Sequence, residues 1–426
     1  MRRVWRGCTA AALVSCVAAT ASAQTTLSWA DVRDRFRSTN PTLAAGRIGI
    51  DESKAAEVTA FLRPNPQASV TLDQIGNTDG GNAFSASNLL AAFSYLHERD
   101  QKRELRRTSA EQATAIAADG QSDLDRNLLF VLRGAFIQVL QSKAFLSLAE
   151  DNLMNYDQVL SLSQSRLQTG DIAQIDLDRL QLQRVNYESD VQTAGVNLRT
   201  AKIQLLRLLD DQTTPVDQFD VTGTFGFTEP TMSLADLRRA ALDTRPDLRA
   251  AMQAVDKANI DHRLAIANGS VDPTFLVDAG FPSISQASQS FQPPLSQYIG
   301  IGISVPLRLF DRNQGEKLRT QLDVSRNERL ADAARLQVFA DVDTAYEAVV
   351  SGVALLRPYR DQYLAQATRV RDTVQFSYQR GGASLVDFLQ SAQEYRSVQV
   401  SYVNLVAAFL NAVNQLNEAV GQEVIQ

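Results

Sequence analysis

The amino-acid sequence predicts a mostly helical protein that also contains four β-strands long enough to cross a lipid bilayer. Three observations predict this fold class: an internal duplication, long helical segments without proline, and period-two segments placed between helices. We expect the helices to form duplicated coiled-coil hairpins and the strands to contribute to a membrane β-barrel.

The duplication is visible when the chain of 426 residues is compared with itself. Three segments return, in the same order, a little more than two hundred residues later. A chance similarity between helices would give one such match, so three indicate a duplicated unit. We predict a first repeat at residues 24–230 and a second at 231–426. The matching segments are Ala30–Arg33 with Ala235–Arg238, Asn40–Leu43 with Arg245–Leu248, and Arg166–Gly170 with Ser377–Gly381.

The N-terminus has the features of an export signal. Three arginines precede an apolar stretch and the small residues Ala21–Ala23. This order is typical of a signal peptide, which we predict at residues 1–23. As an alternative, Leu13–Cys16 resembles a lipoprotein box in which Cys16 would become the lipidated N-terminus, although it would leave a very short apolar core.

Composition argues against several functional classes. Both cysteines lie in the predicted leader, so the processed chain would have no thiol for a disulfide, a cysteine nucleophile or a zinc site. Without the three arginines of the leader, 39 basic residues stand against 48 acidic ones, a net charge of −9, and a nucleic-acid partner is not expected. Enzyme motifs are absent, and His97 and His262 lack metal-ligand spacing. We therefore predict neither an enzyme nor a bound cofactor or metal.

Proline placement marks the helical segments. No proline occurs between Pro66 and Pro215, and only Pro358 follows Pro306. Because an interior proline costs a helix about 3 kcal/mol, long helices are expected in these stretches. Heptad patterns from Leu177 and from Phe388 onward indicate coiled-coil packing. We predict helices at 42–63, 97–165, 171–209, 246–268, 312–379 and 384–420, with hairpins 97–209 and 312–420 that turn at Thr169–Gly170 and Gly381–Gly382.

Four segments read as strands of bilayer-crossing length. In the second repeat they are Pro273–Pro282 and Gln297–Leu307, within about 273–307, and in the first repeat Ala68–Ile75 and Leu89–Leu96, within about 67–96. The linkers at 76–88 and 283–296 are rich in small polar residues, as exposed loops are. A soluble hairpin is the alternative for any single strand. We expect Ile299, Ile301, Ile303 and Val305 to face lipid, and Tyr298, Gly300, Gly302 and Ser304 to face the lumen.

Four strands cannot close a barrel. An open sheet edge is not stable in lipid, because its backbone groups would lack hydrogen-bond partners. The chain is therefore expected to oligomerise, with eight strands in a dimer or twelve in a trimer, and strand arithmetic alone does not choose between them.

These features together resemble the TolC-like outer-membrane efflux family, over nearly the whole mature chain from Leu27–Asp31 to Ala419–Gly421. Tyr378–Gly381, followed by Ser384–Leu389, looks like the second periplasmic tip of that family. Pro306–Gly315 is similar to the barrel-to-helix junction of the cobalt–zinc–cadmium branch, the outer-membrane component of heavy-metal RND systems.

The resemblance implies a homotrimer with a twelve-stranded barrel in outer-membrane lipid and a helical tunnel in the periplasm. It implies a passive exit duct of a tripartite efflux complex, with a periplasmic adaptor (membrane fusion) protein and an inner-membrane RND pump as partners. Heavy-metal cations are the expected substrates. Drug efflux or type I protein secretion are alternatives, and a periplasmic structural coiled coil is a further one.

The resemblance also assigns residues to a periplasmic gate. The family has an acidic ring on the helix after each tip turn, and Asp176 and Asp387 occupy that place here. Some relatives carry a second carboxylate one turn later, where this chain has Gln390. The alternative for each aspartate is a solvated carboxylate on a helix face. The two turns are expected to dock the adaptor, through Leu167, Gly170, Tyr378, Arg380 and Gly381.

Overall fold

The computed structural model describes residues 25–76, 86–229, 232–282 and 297–425. The predicted signal peptide and most of the two predicted loops therefore lie outside the described residues. The chain divides into two compact units: the residues up to Phe36 with Gln138–Thr224, and Arg37–Ile137 with Phe225–Gln426. The units follow spatial contacts and the repeats follow sequence similarity, so the repeat boundaries stay a prediction.

The elements follow the predicted succession of helices, strands and helices. In chain order they are β1 (Thr25–Leu27), α1 (Trp29–Thr39), α2 (Pro41–Ala60), β2 (Gln67–Gly76), β3 (Ala86–Leu96), α3 (Lys102–Gln168), α4 (Gln174–Leu208), β4 (Phe219–Val221), α5 (Leu234–Thr244), α6 (Pro246–Ala267), β5 (Thr274–Pro282), β6 (Tyr298–Ser304), α7 (Gln314–Pro358), a π-helical turn (Tyr359–Tyr363), α8 (Leu364–Gln379) and α9 (Leu385–Val420).

The predicted helices are confirmed, with corrections at their ends. Helix α3 begins five residues later than predicted, because Asp100 and Gln101 have φ of 55° and 56°, a left-handed conformation that a helix cannot include. The helix predicted at 312–379 is helical throughout residues 314–379, but it is not a single α-helix, because a π-helical turn directly follows Pro358. Proline has no N–H to donate and its ring crowds the preceding turn, so the hydrogen-bond register shifts there.

Two short helices, α1 and α5, were not predicted. They occupy corresponding places in the two repeats, and each begins with a Ser-x-x-Asp cap. The N–H of Asp31 donates to Ser28 Oγ, and the N–H of Asp236 donates to Ser233 Oγ, each at 3.3 Å. Both helices could have been found from this capping motif. The short parallel pairing of β1 with β4 was also not predicted.

Strands β2, β3, β5 and β6 form one antiparallel sheet in the order β2–β3–β5–β6. The four predicted strands are confirmed, although β6 ends at Ser304 and not at Leu307. Strand β3 of the first repeat pairs with β5 of the second, so the two repeats contribute adjacent hairpins to a single sheet. The sheet has two open edges, β2 and β6.

The two predicted heptad patterns pack into separate cores. In the unit that contains α4, Leu177, Leu180 and Tyr187 are buried, and Tyr187 stacks on Tyr156 of α3 with ring centroids 4.6 Å apart. In the other unit, α5, α7 and α9 share a core. Its fully buried members include Leu237, Val338, Val342, Ala345, Val349, Leu356, Val406 and Leu416.

Helix α3 is also apolar enough, by length and composition, to cross a membrane. A third of its most apolar 18-residue window is buried inside the protein. The core helix of a soluble protein has the same composition, so this feature does not distinguish a membrane span from a core helix.

Candidate functional site

The register of the four-stranded sheet sorts its side chains into two faces. Directly paired residues on neighbouring strands lie on the same face, and the series Ala68, Phe93, Val277 and Ile301 crosses all four strands. Ile301 is 86% exposed. A continuous, exposed apolar face is the pattern of a barrel wall in contact with lipid. The other apolar members of this face are Val70, Leu72, Leu89, Ala91, Tyr95, Phe275, Ala279, Phe281, Ile299 and Ile303.

The opposite face carries most of the polar residues of the sheet. Glycines on this face lie opposite large or charged side chains. A Cβ atom added to Gly300 would lie 2.6 Å from Asp278 Oδ1, and one added to Gly280 would overlap the ring of Tyr298. Strands β2, β3, β5 and β6 contain no basic residue within their bounds. This face therefore has the polarity expected of a channel lumen, and it includes the four residues predicted to face the lumen.

The first predicted tip, between α3 and α4, is closed by a Schellman motif. The N–H of Asp171 donates to Arg166 O at 2.8 Å, and the N–H of Gly170 donates to Leu167 O at 3.0 Å. Gly170 has φ of 81°, a conformation that favours glycine. Leu167 is half-buried, whereas Gly170 is exposed and a Cβ there would meet no atom within 4 Å. The surface over Gly170 is thus open to a partner.

Asp176 lies in the first turn of α4 and is half-buried. The N-cap residue of this helix is Ala173, which has no side-chain acceptor for the N-terminal N–H groups. Within the described part of the chain, the Asp176 carboxylate makes no hydrogen bond or ion pair. It is held near the helix N-terminus, where the helix dipole favours a negative charge.

The second predicted tip, between α8 and α9, repeats this turn. The N–H of Gly382 donates to Ser377 O at 2.8 Å, and the N–H of Gly381 donates to Tyr378 O at 3.0 Å. Gly381 has φ of 78°. The predicted pair of glycine turns is therefore confirmed as a pair of Schellman motifs, one after α3 and one after α8.

Asp387 has a bonding role that the sequence interpretation missed. Its Oδ2 accepts from Ser384 N at 3.1 Å and Ser384 Oγ at 2.7 Å, and its own N–H donates to Ser384 Oγ, which forms a capping box. The hydroxyl and backbone hydrogen bonds from Ser384 hold the pKa of Asp387 below its ordinary value. Although Asp387 is exposed, it is the N3 residue of the capping box that begins at Ser384 and not only a solvated carboxylate.

The remaining predicted residues of this tip have different surroundings. Gln390 is exposed, and its amide donates to Glu394 Oε1 at 2.9 Å. The Arg380 guanidinium lies 4.3 Å from the centre of the Phe376 ring. Tyr378 is 5% exposed and stacks on Phe388 across the turn. Its ring therefore supports the turn from inside, while Arg380 and Gly381 are exposed.

Two exposed apolar residues near the tips were not predicted. Ile175 on α4 and Val386 on α9 occupy corresponding positions in the two repeats and are 57% and 62% exposed. Each lies next to a predicted gate residue. The repeat alignment could have identified them, because an apolar residue recurs at the same position of both repeats.

Comparisons with known proteins agree with this geometry. Residues 237–422 match the model of a family described as outer membrane efflux protein. The chain is 25% identical to the pyoverdine export outer membrane protein OpmQ of Pseudomonas putida over 90% of this chain and 84% of that protein. It is 20% identical to the cobalt-zinc-cadmium resistance protein CzcC of Cupriavidus metallidurans, over 90% and 87%. A solved structure of CusC shares the fold, with a TM-score of 0.75, 18% identity and 92% of each chain covered.

Proposed function

Because the chain belongs to the TolC-like family of outer membrane efflux proteins, we propose that it is the exit duct of a tripartite efflux system and conducts substrates passively out of the cell. It is an outer-membrane channel with a helical periplasmic part and not an enzyme. The observation that carries the proposal is the exposed apolar face that crosses the sheet from Ala68 to Ile301. Such a face is stable in lipid and would be costly in water.

The sheet edges support a homotrimer. Four alternating antiparallel strands leave edges β2 and β6 running in opposite directions. Strand β6 of one copy can therefore pair antiparallel with β2 of the next, which removes both open edges. An eight-stranded barrel has an interior that side chains fill, whereas twelve strands from three copies leave room for a duct.

Membrane fractionation and electrophoresis test this function. We expect the protein in the outer-membrane fraction, as an oligomer that dissociates to a monomer only on heating, and we expect it to conduct ions in planar bilayers. A soluble monomer without conductance would contradict the duct and favour the periplasmic coiled coil.

Heavy-metal cations are the proposed substrates. The proposal is supported by the similarity to CzcC and by the Pro306–Gly315 junction. We assign the choice of metal to the inner-membrane RND pump, with the periplasmic adaptor linking the pump to this channel. Similarity to OpmQ favours a second candidate, export of a siderophore-like small molecule. A deletion strain tested against metals, drugs and its own siderophore would separate the two.

The tip turns are proposed as the adaptor-docking surface, and Gly170→Trp tests it. The indole would project into the open space over Gly170 and block a partner. We therefore expect the resistance that depends on export to be lost while trimer assembly stays normal. Gly170→Asn is the matched control, because asparagine tolerates the left-handed conformation and is small. Wild-type export by Gly170→Trp, or failure to crosslink an adaptor from Leu167 or Arg380, would contradict docking at these tips.

The gate prediction concerns Asp176 and Asp387. The family resemblance implies that a threefold assembly has six carboxylates at the periplasmic entrance, and like charges brought close together attract a screening cation. We expect the double variant Asp176→Asn/Asp387→Asn to weaken divalent-cation block of single-channel conductance, with a half-blocking concentration roughly tenfold higher if about 1.4 kcal/mol of binding is lost.

Asparagine is preferred to alanine at position 387 because its amide oxygen can still accept the capping hydrogen bonds of Ser384. The comparison of Asp387→Asn with Asp387→Ala then separates the carboxylate charge from the helix cap. If the double variant had the same half-blocking cation concentration as the wild type, both aspartates would be ordinary helix-surface residues and not parts of a gate.

A further inference from the structure

The segment between β6 and α7, Val305–Arg312, is unusually apolar and exposed for a connection between elements; we name it the junction segment. Leu307, Leu309 and Phe310 are 79%, 65% and 91% exposed. Among the described residues, no other large hydrophobic side chain is as exposed as Phe310. Three such residues within four positions form an apolar patch that water does not favour.

The junction segment continues the lipid-facing surface of the sheet. Ile301 and Ile303 lie on the apolar face, and Val305 and Leu307 extend the same period-two series beyond the last strand residue. The N–H of Leu309 then donates to Leu307 O at 3.0 Å, which turns the chain out of the strand direction. The patch therefore lies at the end of the sheet that adjoins α7, which is the periplasmic end of the barrel wall in the proposed function.

The charges of the junction segment suit a phospholipid surface. Arg308 lies between Leu307 and Leu309 and is half-buried, with its charge acting on the Asp272 carboxyl, whereas Arg312 follows Asp311 and is exposed. Within the described residues the Arg312 guanidinium forms no ion pair or hydrogen bond. The neighbouring Asp311 carboxylate instead accepts from Asn313 N at 2.8 Å. Arginine next to large apolar side chains is typical of the membrane interface, where the cation reaches lipid phosphates.

The corresponding junction of the first repeat has an exposed arginine, Arg99, but none of the apolar side chains. It consists of His97–Gln101, which are all polar. Glu98 forms an ion pair with Arg106, and Arg99 N donates to Asp272 Oδ1 at 2.9 Å. The Glu98 carboxylate and the Arg99 backbone N–H thus find partners within the protein, whereas Leu307, Leu309 and Phe310 are exposed.

We propose that the junction segment is a lipid anchor in the periplasmic leaflet of the outer membrane. Leu307, Leu309 and Phe310 insert among the acyl chains, and Arg308 and Arg312 bind phospholipid phosphates. The proposal rests on the proposed function for the insertion of the sheet into the bilayer. Two observations favour lipid, and not a neighbouring copy of the chain, as the partner of this patch. The patch is continuous with the apolar face of the sheet, and the Arg312 guanidinium forms no ion pair within the described residues.

Tryptophan quenching tests the apolar part of the anchor. Phe310→Trp is made in a Trp29→Phe background and reconstituted in vesicles of lipids brominated either near the headgroup or near the chain end. We expect strong quenching, greater with bromine near the headgroup. Ile301→Trp is the lipid-facing control, and Leu336→Trp, exposed on α7, is the control that should not be quenched.

The controls separate failure of the anchor from failure of the channel. If Ile301→Trp is quenched and Phe310→Trp is not, the anchor is wrong, and a blue-shifted emission would identify a neighbouring copy as the cover. If neither is quenched, the sheet does not lie in the bilayer and both proposals fail.

Lipid-dependent melting tests the arginines. Added phosphatidylglycerol should raise the melting temperature of the delipidated wild-type trimer, and Arg308→Gln/Arg312→Gln should lose most of this rise. Arg319→Gln is the matched control, because Arg319 already pairs with Glu316 and its removal should leave the rise unchanged. If phosphatidylglycerol raised the melting temperature of the double variant as much as that of the wild type, the proposed contacts with lipid phosphates would be wrong.

Discussion

Arginine in place of Ile301 should prevent barrel assembly, whereas arginine in place of Gly302 should leave assembly intact. Ile301 lies in the middle of β6, on the apolar face opposite Val277. Gly302 is the next residue and lies on the polar face, where an added Cβ would be 3.7 Å from Leu276, an ordinary contact. An arginine near the bilayer midplane costs about 2–4 kcal/mol when it faces lipid. Three copies would lose on the order of 6–12 kcal/mol if their costs add.

The two variants differ by one position and introduce the same side chain, so each is the control for the other. Assembly is measured as the heat-modifiable oligomer in the outer-membrane fraction, and conductance is measured for any oligomer that forms. We expect Gly302→Arg to assemble with altered conductance. Equal tolerance of arginine at both positions would show that the strand register, and with it the lipid-facing surface, is wrong.

The helices could be predicted from sequence because their signals are local. Long stretches without proline and heptad spacing both act within one or two turns of the same helix. The π-helical turn after Pro358 could not be predicted in this way, because whether a helix ends or shifts register at a proline depends on the packing of its neighbours. The short helix α1 was missed although Ser28 and Asp31 carry a capping signal, since eleven residues give little periodicity.

The candidate site was predictable in its positions but not in its bonding. Glycine at 170 and 381 located both turns, because few other residues adopt positive φ. The sequence interpretation assigned Asp387 to an acidic ring, with a solvated helix-face carboxylate as the alternative, and did not predict the capping box that the structure shows. Burial of Tyr378 against Phe388 depends on how the two arms of a hairpin meet, which residue spacing does not specify. The pairing of β3 with β5 likewise requires knowledge of the fold.

The two repeats differ at the residue before their second helix, and in the second repeat this residue, Arg245, has a structural role. Asn40 and Arg245 occupy corresponding positions, each just before a helix that begins with proline. Asn40 Oδ1 accepts from the N–H groups of Thr42 and Leu43 and caps α2. Arg245 makes no such cap and instead reaches into the core, where it is 4% exposed.

Arg245 connects three segments of its unit. Its guanidinium binds both carboxylate oxygens of Asp247, at 3.0 and 2.6 Å, and Asp341 Oδ2 of α7 at 2.7 Å. A third contact, at 3.3 Å, reaches Ala419 O of α9. Burial opposes the charge, but the hydrogen bonds that Arg245 donates to Asp247 and Asp341 outweigh it and raise the pKa of Arg245 above its ordinary value.

Arg245→Ala should lower the free energy of unfolding by about 2–4 kcal/mol per copy. Removing one partner of a buried ion pair costs about 3–5 kcal/mol, and we expect a loss at or just below the low end of that range because Asp247 and Asp341 are about a third exposed and water can solvate them. Arg249→Ala is the matched control, one turn further along α6. The Arg249 side chain is 46% exposed and that of its partner Asp119 is 13% exposed, so water screens the pair from the arginine side and a smaller loss of about 1 kcal/mol is expected. The measurement is thermal or urea unfolding of the detergent-solubilised protein, followed by helical circular dichroism.

The same variant should change the pH dependence of stability. Burial raises the pKa of Asp247. The hydrogen bonds from Arg245 lower this pKa by more than burial raises it, so the folded-state pKa lies below the ordinary value of 3.8. The stability from this carboxylate is therefore fully present above about pH 3.8 and is lost as the pH falls through the lowered folded-state pKa. In Arg245→Ala the main cause of the lowering is gone, so this acid-sensitive part of the unfolding free energy should shrink, while Arg249→Ala keeps it. If Arg245→Ala matched Arg249→Ala in both stability and acid sensitivity, Arg245 would be a packed side chain whose ion pairs add nothing to the core.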